Sequence, residues 1–120
     1  MKSHRELDVW KKAMDMVVAV YGLTADFPAQ ERYGLASQMQ RAAVSIPANI
    51  AEGYGRVHRG NYLHHLSIAR GSLAELETHI ALAVRLQFVE REKAANVWNM
   101  TQEVGKMLST MIRTLQQKAN

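Results

Sequence analysis

The sequence predicts an all-α protein: an antiparallel up-down four-helix bundle with the second helix kinked at Pro47. Three observations carry that prediction. Apolar residues recur every three or four positions along four separate stretches. No stretch sustains the alternate-residue pattern of a half-buried strand. The connections between stretches are short, which favours antiparallel neighbours. At 120 residues and 13.5 kDa the chain, residues 1–120, has the size of one domain. A domain this large buries roughly two thirds of its unfolded surface, enough for a core without a staple.

The first segment is read over residues 7–25, with Trp10, Ala13/Met14, Val17 and Val20/Tyr21 as its apolar stripe. Asp8 is a candidate N-cap, and Ser3-x-x-Glu6 is a rival capping box. Phe27-Pro28 closes the segment. The second segment is read over residues 34–54, on Leu35, Met39, Ala42/Ala43, Ile46 and Ile50. Pro47 offers no N–H to the carbonyl of Ala43, so a kink or a break is expected there. Gly53 and Gly55 are expected to end the helix through a left-handed cap.

The third segment is read over residues 61–87, on Leu63, Leu66, Ala69/Arg70, Leu73, Leu76, Ile80 and Ala83. The fourth is read over residues 90–117, on Val97, Met100/Thr101, Val104, Met107/Leu108, Met111 and Leu115.

Three stretches carry more apolar surface than one core-facing stripe requires. Residues 16–21 are apolar without interruption, and so are residues 80–84. Residues 42–51 hold only Ser45 and Asn49 as conventional polar residues. Large exposed apolar patches are uncommon on soluble monomers. The surplus is covered either by a thick core with alanines outside or by a second subunit. The subunit reading makes the protein a homo-oligomer.

With no cysteine, disulfides, thiolate metal sites and thiol chemistry are excluded. A reducing, cytoplasmic setting fits that composition. The polar start of the sequence shows no signal-peptide pattern, and every apolar run is far short of the ~20 residues a membrane span needs, so no membrane role is expected. Net charge is +4, unevenly spread: residues 56–70 carry +3 and residues 91–120 carry +3, whereas residues 71–90 carry −2.

The search for chemistry finds little. A bundle can hold a di-iron site on Glu-x-x-His pairs, but Glu75 and Glu77 stand four and two residues before His79 rather than three. His64 and His65 are adjacent and diverge by about 100° on a helix, which suits solvent better than a shared ion. There is no Gly-x-Ser-x-Gly elbow and no phosphate-binding glycine loop. Gly53-Tyr54-Gly55 follows no strand and reads as a helix-ending turn. No catalytic residue, metal or cofactor is assigned. Two pairs, Asn49 with Glu52 and Glu75 with Glu77, lie in apolar surroundings and call for partners. Arg41 and Arg70 are the available ones, within the chain or between subunits. A catalytic carboxylate role for Glu52 or Glu75 is the weaker alternative. The turn Arg56-Val57-His58-Arg59, flanked by Tyr54 and Tyr62, is either a solvated connection or a phosphate contact with stacking aromatics.

The stretch Ser45-Ile46-Pro47-Ala48-Asn49-Ile50-Ala51-Glu52-Gly53 resembles the signature of the bacterial 23S rRNA intervening-sequence proteins. Three further pieces match: Leu7-Asp8-Val9-Trp10-Lys11-Lys12-Ala13, Arg32-Tyr33-Gly34-Leu35, and residues 66–78. The similarity runs over about residues 7–115, and the combination is specific where each piece alone is weak. The resemblance implies a four-helix bundle assembled as a ring of five. It also implies kinship with the accessory protein of diversity-generating retroelements, a basic pentamer that binds nucleic acid and a reverse transcriptase. The family name reflects where some of its genes lie and not an activity. The family commonly has a Ser or Thr cap followed by Lys after the second helix, where this sequence has His58-Arg59-Gly60. By the same resemblance Asn49, Glu52 and Glu75 are framework residues.

The functional expectation is therefore a non-enzymatic homo-oligomer, pentameric by resemblance, associated with RNA or DNA through Arg56, Arg59, Lys11, Lys12, Lys106 and Arg113. A scaffold that binds another protein, with no nucleic-acid role, is the alternative.

Overall fold

A computed structural model describes residues 3–118. Four α-helices run in the order α1 (Asp8–Thr24), α2 (Leu35–Tyr54), α3 (Arg59–Arg85) and α4 (Arg91–Lys118). Short 3-10 turns cover His4–Glu6 and Ala29–Glu31, and the described residues contain no strand. Each of α1 and α3 packs on both α2 and α4, and neither diagonal pair of backbones meets. The result is an elongated four-helix bundle of 48 × 22 × 20 Å. The register of α2 on α3 is antiparallel. Ser45 meets Ser72, whereas Asn49, one turn later, meets His65.

The core is the line where the four stripes converge, with Met16, Met39, Ile46, Leu66, Leu76 and Leu108 fully buried. For α2, α3 and α4 the inward faces largely follow the 3–4 spacing of the sequence. For α1 the face differs. Val9, Ala13, Met16, Val20 and Leu23 point inward, while Met14 is 41% and Tyr21 48% exposed. An uninterrupted apolar run fits two rotations equally well, so periodicity alone could not select between them. Val17 and Ala19 are half-buried, and Val18 between them is 72% exposed. The apolar surplus of α1 is thus only partly absorbed by its own bundle.

The helix ends correct several expectations. Asp8 is the first helical residue and not the cap. Leu7 occupies the cap position and no side chain caps the helix. Ser3 Oγ accepts the Arg5 N–H at 3.1 Å and caps the separate 3-10 turn at His4–Glu6, so the Ser3-x-x-Glu6 box does not start α1. Asp8 instead places its carboxylate in the first turn, where the helix dipole favours an anion. Helix α2 passes through Pro47 without a break. Helix α3 starts at Arg59 and ends at Arg85, two residues earlier at each end than the periodicity suggests. Its end is a Schellman closure: the Gln87 N–H reaches the Val84 carbonyl at 3.0 Å, and the Phe88 N–H reaches that of Ala83 at 2.9 Å. Gln87 sits at φ 62°, a left-handed position that glycine ordinarily takes. Phe88 then packs on Phe27, with ring centroids 5.8 Å apart.

The glycines of α2 also play a different part. Gly55 has φ −78°, so no left-handed cap ends this helix. Gly53 lies inside the helix and is buried. A Cβ built there would stand 2.8 Å from His65 Cβ and 3.0 Å from Tyr62 Cδ1. The residue is glycine because α3 crosses directly over it.

Gly53→Ala should therefore destabilise the bundle by about 1–2 kcal/mol, because overpacking outweighs the helix propensity gained. Gly71, exposed in α3 with open space around its Cα, is the internal control: Gly71→Ala should stabilise by about 0.5–1 kcal/mol. Urea denaturation of both variants checks this, and equal effects of one sign would contradict the crossing.

Candidate nucleic-acid interface

Two features decide what the surface can do: the seam that fixes the rotation of α3, and the distribution of charge that this rotation sets. In the seam, Ser45 Oγ and Ser72 Oγ lie 2.8 Å apart. Asn49 donates through Nδ2 to the Ser45 carbonyl at 2.8 Å and to Ser45 Oγ at 3.0 Å. Its Oδ1 is therefore turned to His65 Nδ1, 3.0 Å away, which donates to it. Gly53 below lets the two backbones approach. Ser45 and Asn49 of the nine-residue signature thus knit α2 to α3.

The other framework residues do not pair as expected within the chain. Glu52 binds Arg56, four residues on, at 2.6 Å. Glu75 lies 3.8 Å from His79 of its own helix. Arg41 and Arg70 are exposed and take neither carboxylate. Glu77 accepts an N–H of Gln102 across the α3–α4 groove at 2.6 Å. Sequence reasoning missed Ser45, Ser72, His65 and Gln102. A polar residue in a half-buried stripe was visible for Ser45, but its partner depends on register.

Charge divides along the bundle axis. Residues 3–12, 46–70 and 104–118 make up one end, with nine lysines and arginines against Glu6, Asp8 and Glu52. His4, His58, His64 and His65 lie at the same end. The opposite half carries eight acids against five bases. A mild overall charge thus conceals a strongly basic end. Like charges gathered at one end raise the local potential there and draw anions.

The six candidate cations fare unequally. Lys12 bridges α1 to α4 by holding Glu103 at 3.0 Å, and that hydrogen bond and charge raise its pKa above the ordinary lysine value. Arg56 is occupied by Glu52. Lys11, Arg59 and Lys106 are exposed and form no ion pair with the described residues. Among the described residues Arg113 makes a 3.5 Å contact to Thr110 and no ion pair. Lys106 and Arg113 line one cleft of about 630 Å³ between α3 and α4, and Arg70 stands on the facing wall. Helix α3 opens with Arg59 behind an uncapped His58, with no acid in its first turn. That arrangement opposes the helix dipole.

The match to known proteins follows the same elements. A family model described as 23S rRNA-intervening sequence protein covers residues 5–110. The chain belongs to this family. No curated protein matches it. A crystal structure of a Bacteroides thetaiotaomicron protein of unknown function, from the S23 ribosomal protein family, is similar with TM-score 0.81 and 27% identity. The alignment covers 87% of this chain and 97% of that one. In this chain the signature stretch is framework, because Ser45, Asn49 and Gly53 are spent on the α2–α3 seam. Among the described residues no three His, Asp or Glu side chains converge on a metal-sized site, and no helix is long and apolar enough to cross a membrane.

A second, apolar trough of about 610 Å³ lies at the basic end between the start of α1 and the end of α4. Leu7, Val9, Tyr62, Met107, Met111 and Leu115 line it. Tyr62 packs edge-on to Tyr54, and its hydroxyl lies 3.8 Å from Met111 Sδ. Burial raises the Tyr62 pKa above its ordinary value near 10, and the charge of ionised Tyr54 adds to that.

The fold therefore holds the Tyr62 proton more tightly than the unfolded chain does. Its contribution to stability is complete below about pH 10 and is lost as pH rises through the higher folded value. Phenolate absorbance should show one tyrosine ionising late, and Tyr62→Phe should remove that late step and flatten the alkaline fall in stability. An unchanged late step in Tyr62→Phe would contradict the assignment.

Proposed function

We propose that this protein is a non-catalytic, self-associating helical module that holds nucleic acid at its basic end. The observation that carries the reading is the segregation of charge: nine cations against three acids at one end, with Lys11, Arg59, Lys106 and Arg113 left open. Open cations on a folded surface are what counterion release from a phosphate backbone requires. Self-association is supported by the outer apolar stripe of Met14, Val18 and Tyr21 on α1, with Val44 exposed on α2. Covering that stripe with other copies multiplies the basic ends around an axis, and we take a ring of five as the assembly. A non-catalytic role is supported by the two carboxylates considered for chemistry. Glu52 is exposed and held by Arg56, and Glu75 is exposed with only His79 nearby. The second reading, a protein-binding scaffold, is favoured by the apolar trough at the same end.

One experiment tests both parts. Sedimentation of the pure protein should give about five times the 13.5 kDa chain mass, and Val18→Glu should return it to a folded single chain. Added fluorescent RNA or DNA should co-sediment with the assembly. Its affinity should fall at least about fiftyfold between 50 and 200 mM salt if some four phosphates are contacted. A 13.5 kDa wild-type particle would remove the assembly. Absence of co-sedimentation at low salt, with assembly intact, would favour the scaffold.

A further inference from the structure

We propose that the α3–α4 cleft is a track for a single strand of nucleic acid, with backbone phosphates held by Arg70 on one wall and Lys106 and Arg113 on the other. This rests on the nucleic-acid reading above and gives it a site and a substrate class.

The cleft is an open groove of about 630 Å³. Its walls are two adjacent helices, whose axes in such pairs lie about 8–10 Å apart. A duplex presents a wide convex rod whose major groove alone spans about 12 Å, so it can touch the rims but cannot enter. A single strand can lie along the floor. Small residues leave the groove room: the exposed Ala74 on the α3 wall and the half-buried Gly105 on α4. Gly105 also sets how closely the helices meet, since a Cβ there would stand 3.2 Å from Leu73 Cδ2.

The chemistry of the walls fits the same ligand. Arg70, Lys106 and Arg113 are exposed and form no ion pair with the described residues, so no carboxylate must be displaced before a phosphate binds. Lys106 and Arg113 are two helical turns apart, about 10 Å along α4, so they meet different phosphates of one strand. Ser109 and Thr110 between them supply hydroxyls that donate or accept at the same level. The one acid in the cleft, Glu77, already accepts the Gln102 N–H and closes the end away from the basic half. The polarity of the cleft therefore follows that of the bundle, cationic toward the basic end and anionic at the other.

Binding of labelled single strands and of duplexes of the same length, measured by fluorescence anisotropy on the full chain, tests the assignment. Three variants are compared with wild type. Lys106→Gln/Arg113→Gln removes the charge of one wall, Ala74→Phe fills the cleft and leaves every charge in place, and Arg59→Gln removes a basic-end cation outside it. Circular dichroism confirms that each stays helical. Wild type should bind the single strand at least tenfold tighter than the duplex. Lys106→Gln/Arg113→Gln should lower the salt slope by about 1.4, and Ala74→Phe should weaken single-strand binding at least tenfold with the duplex unchanged. Arg59→Gln should change both ligands by the same smaller factor. Equal or tighter duplex binding, or an Ala74→Phe variant that binds the single strand like wild type, overturns the track and leaves the basic end standing. No binding of either form at low salt overturns both.

Discussion

The close crossing of α2 and α3 at Gly53 is the constraint on which the rest of this molecule depends. Because no Cβ intervenes, His65 and Tyr62 can lie against the α2 backbone. Asn49 then comes within reach of His65, and Ser45 within reach of Ser72. Each such bond contributes only about 0.5–1.5 kcal/mol, but a partner left buried and unpaired costs more. Their larger effect is geometric. Two polar contacts spaced along one face fix the rotation of α3 about its axis. That rotation turns Arg70, Leu73 and Glu77 toward α4, where they form one wall of the basic cleft. A slip of one residue would swing each of these side chains by about 100° and dissolve the cleft.

Much of this was legible in the residues. Four helices, their order and most of the buried stripe follow from apolar spacing, because a 3.6-residue period leaves little choice once polar residues fill the other face. Where both faces were apolar the choice failed: the run 16–21 admits two rotations, and Val18 and Tyr21 proved to be outside. Caps were legible only as chemistry. Asp8 and Ser3 had the right side chains, but the bonds formed one turn away or not at all. Gly53 announced a special position without saying which kind. Its role is steric contact with another helix, which no local rule contains. The candidate site was half legible. Lys106, Arg113 and the basic turn were visible as charges. Their grouping with Arg70, and the loss of Lys12 and Arg56 to Glu103 and Glu52, depend on the register of helices far apart in sequence.

Family membership and the surface bear on function in different ways. The family match and the Bacteroides neighbour carry the bundle across 27% identity without a ligand, since that neighbour is itself of unknown function. What this chain adds is its own charge pattern. Natural sequences tend to break local rules where another demand prevails, and α3 does so at its start, with Arg59 in its first turn and no side-chain cap. The same end gathers four of the five histidines and nine cations. A framework held by side-chain hydrogen bonds that use none of these cations leaves Lys11, Arg59, Lys106 and Arg113 to act outward.

The seam can be measured without reference to any ligand. A double-mutant cycle of Asn49→Ala and His65→Ala, read by urea denaturation, isolates the energy shared across α2 and α3. The account predicts a coupling of about 1 kcal/mol or more, since either truncation alone already strands the other partner. Losses that simply add would mean that the two residues act separately, and that something other than this contact holds α3 in its rotation.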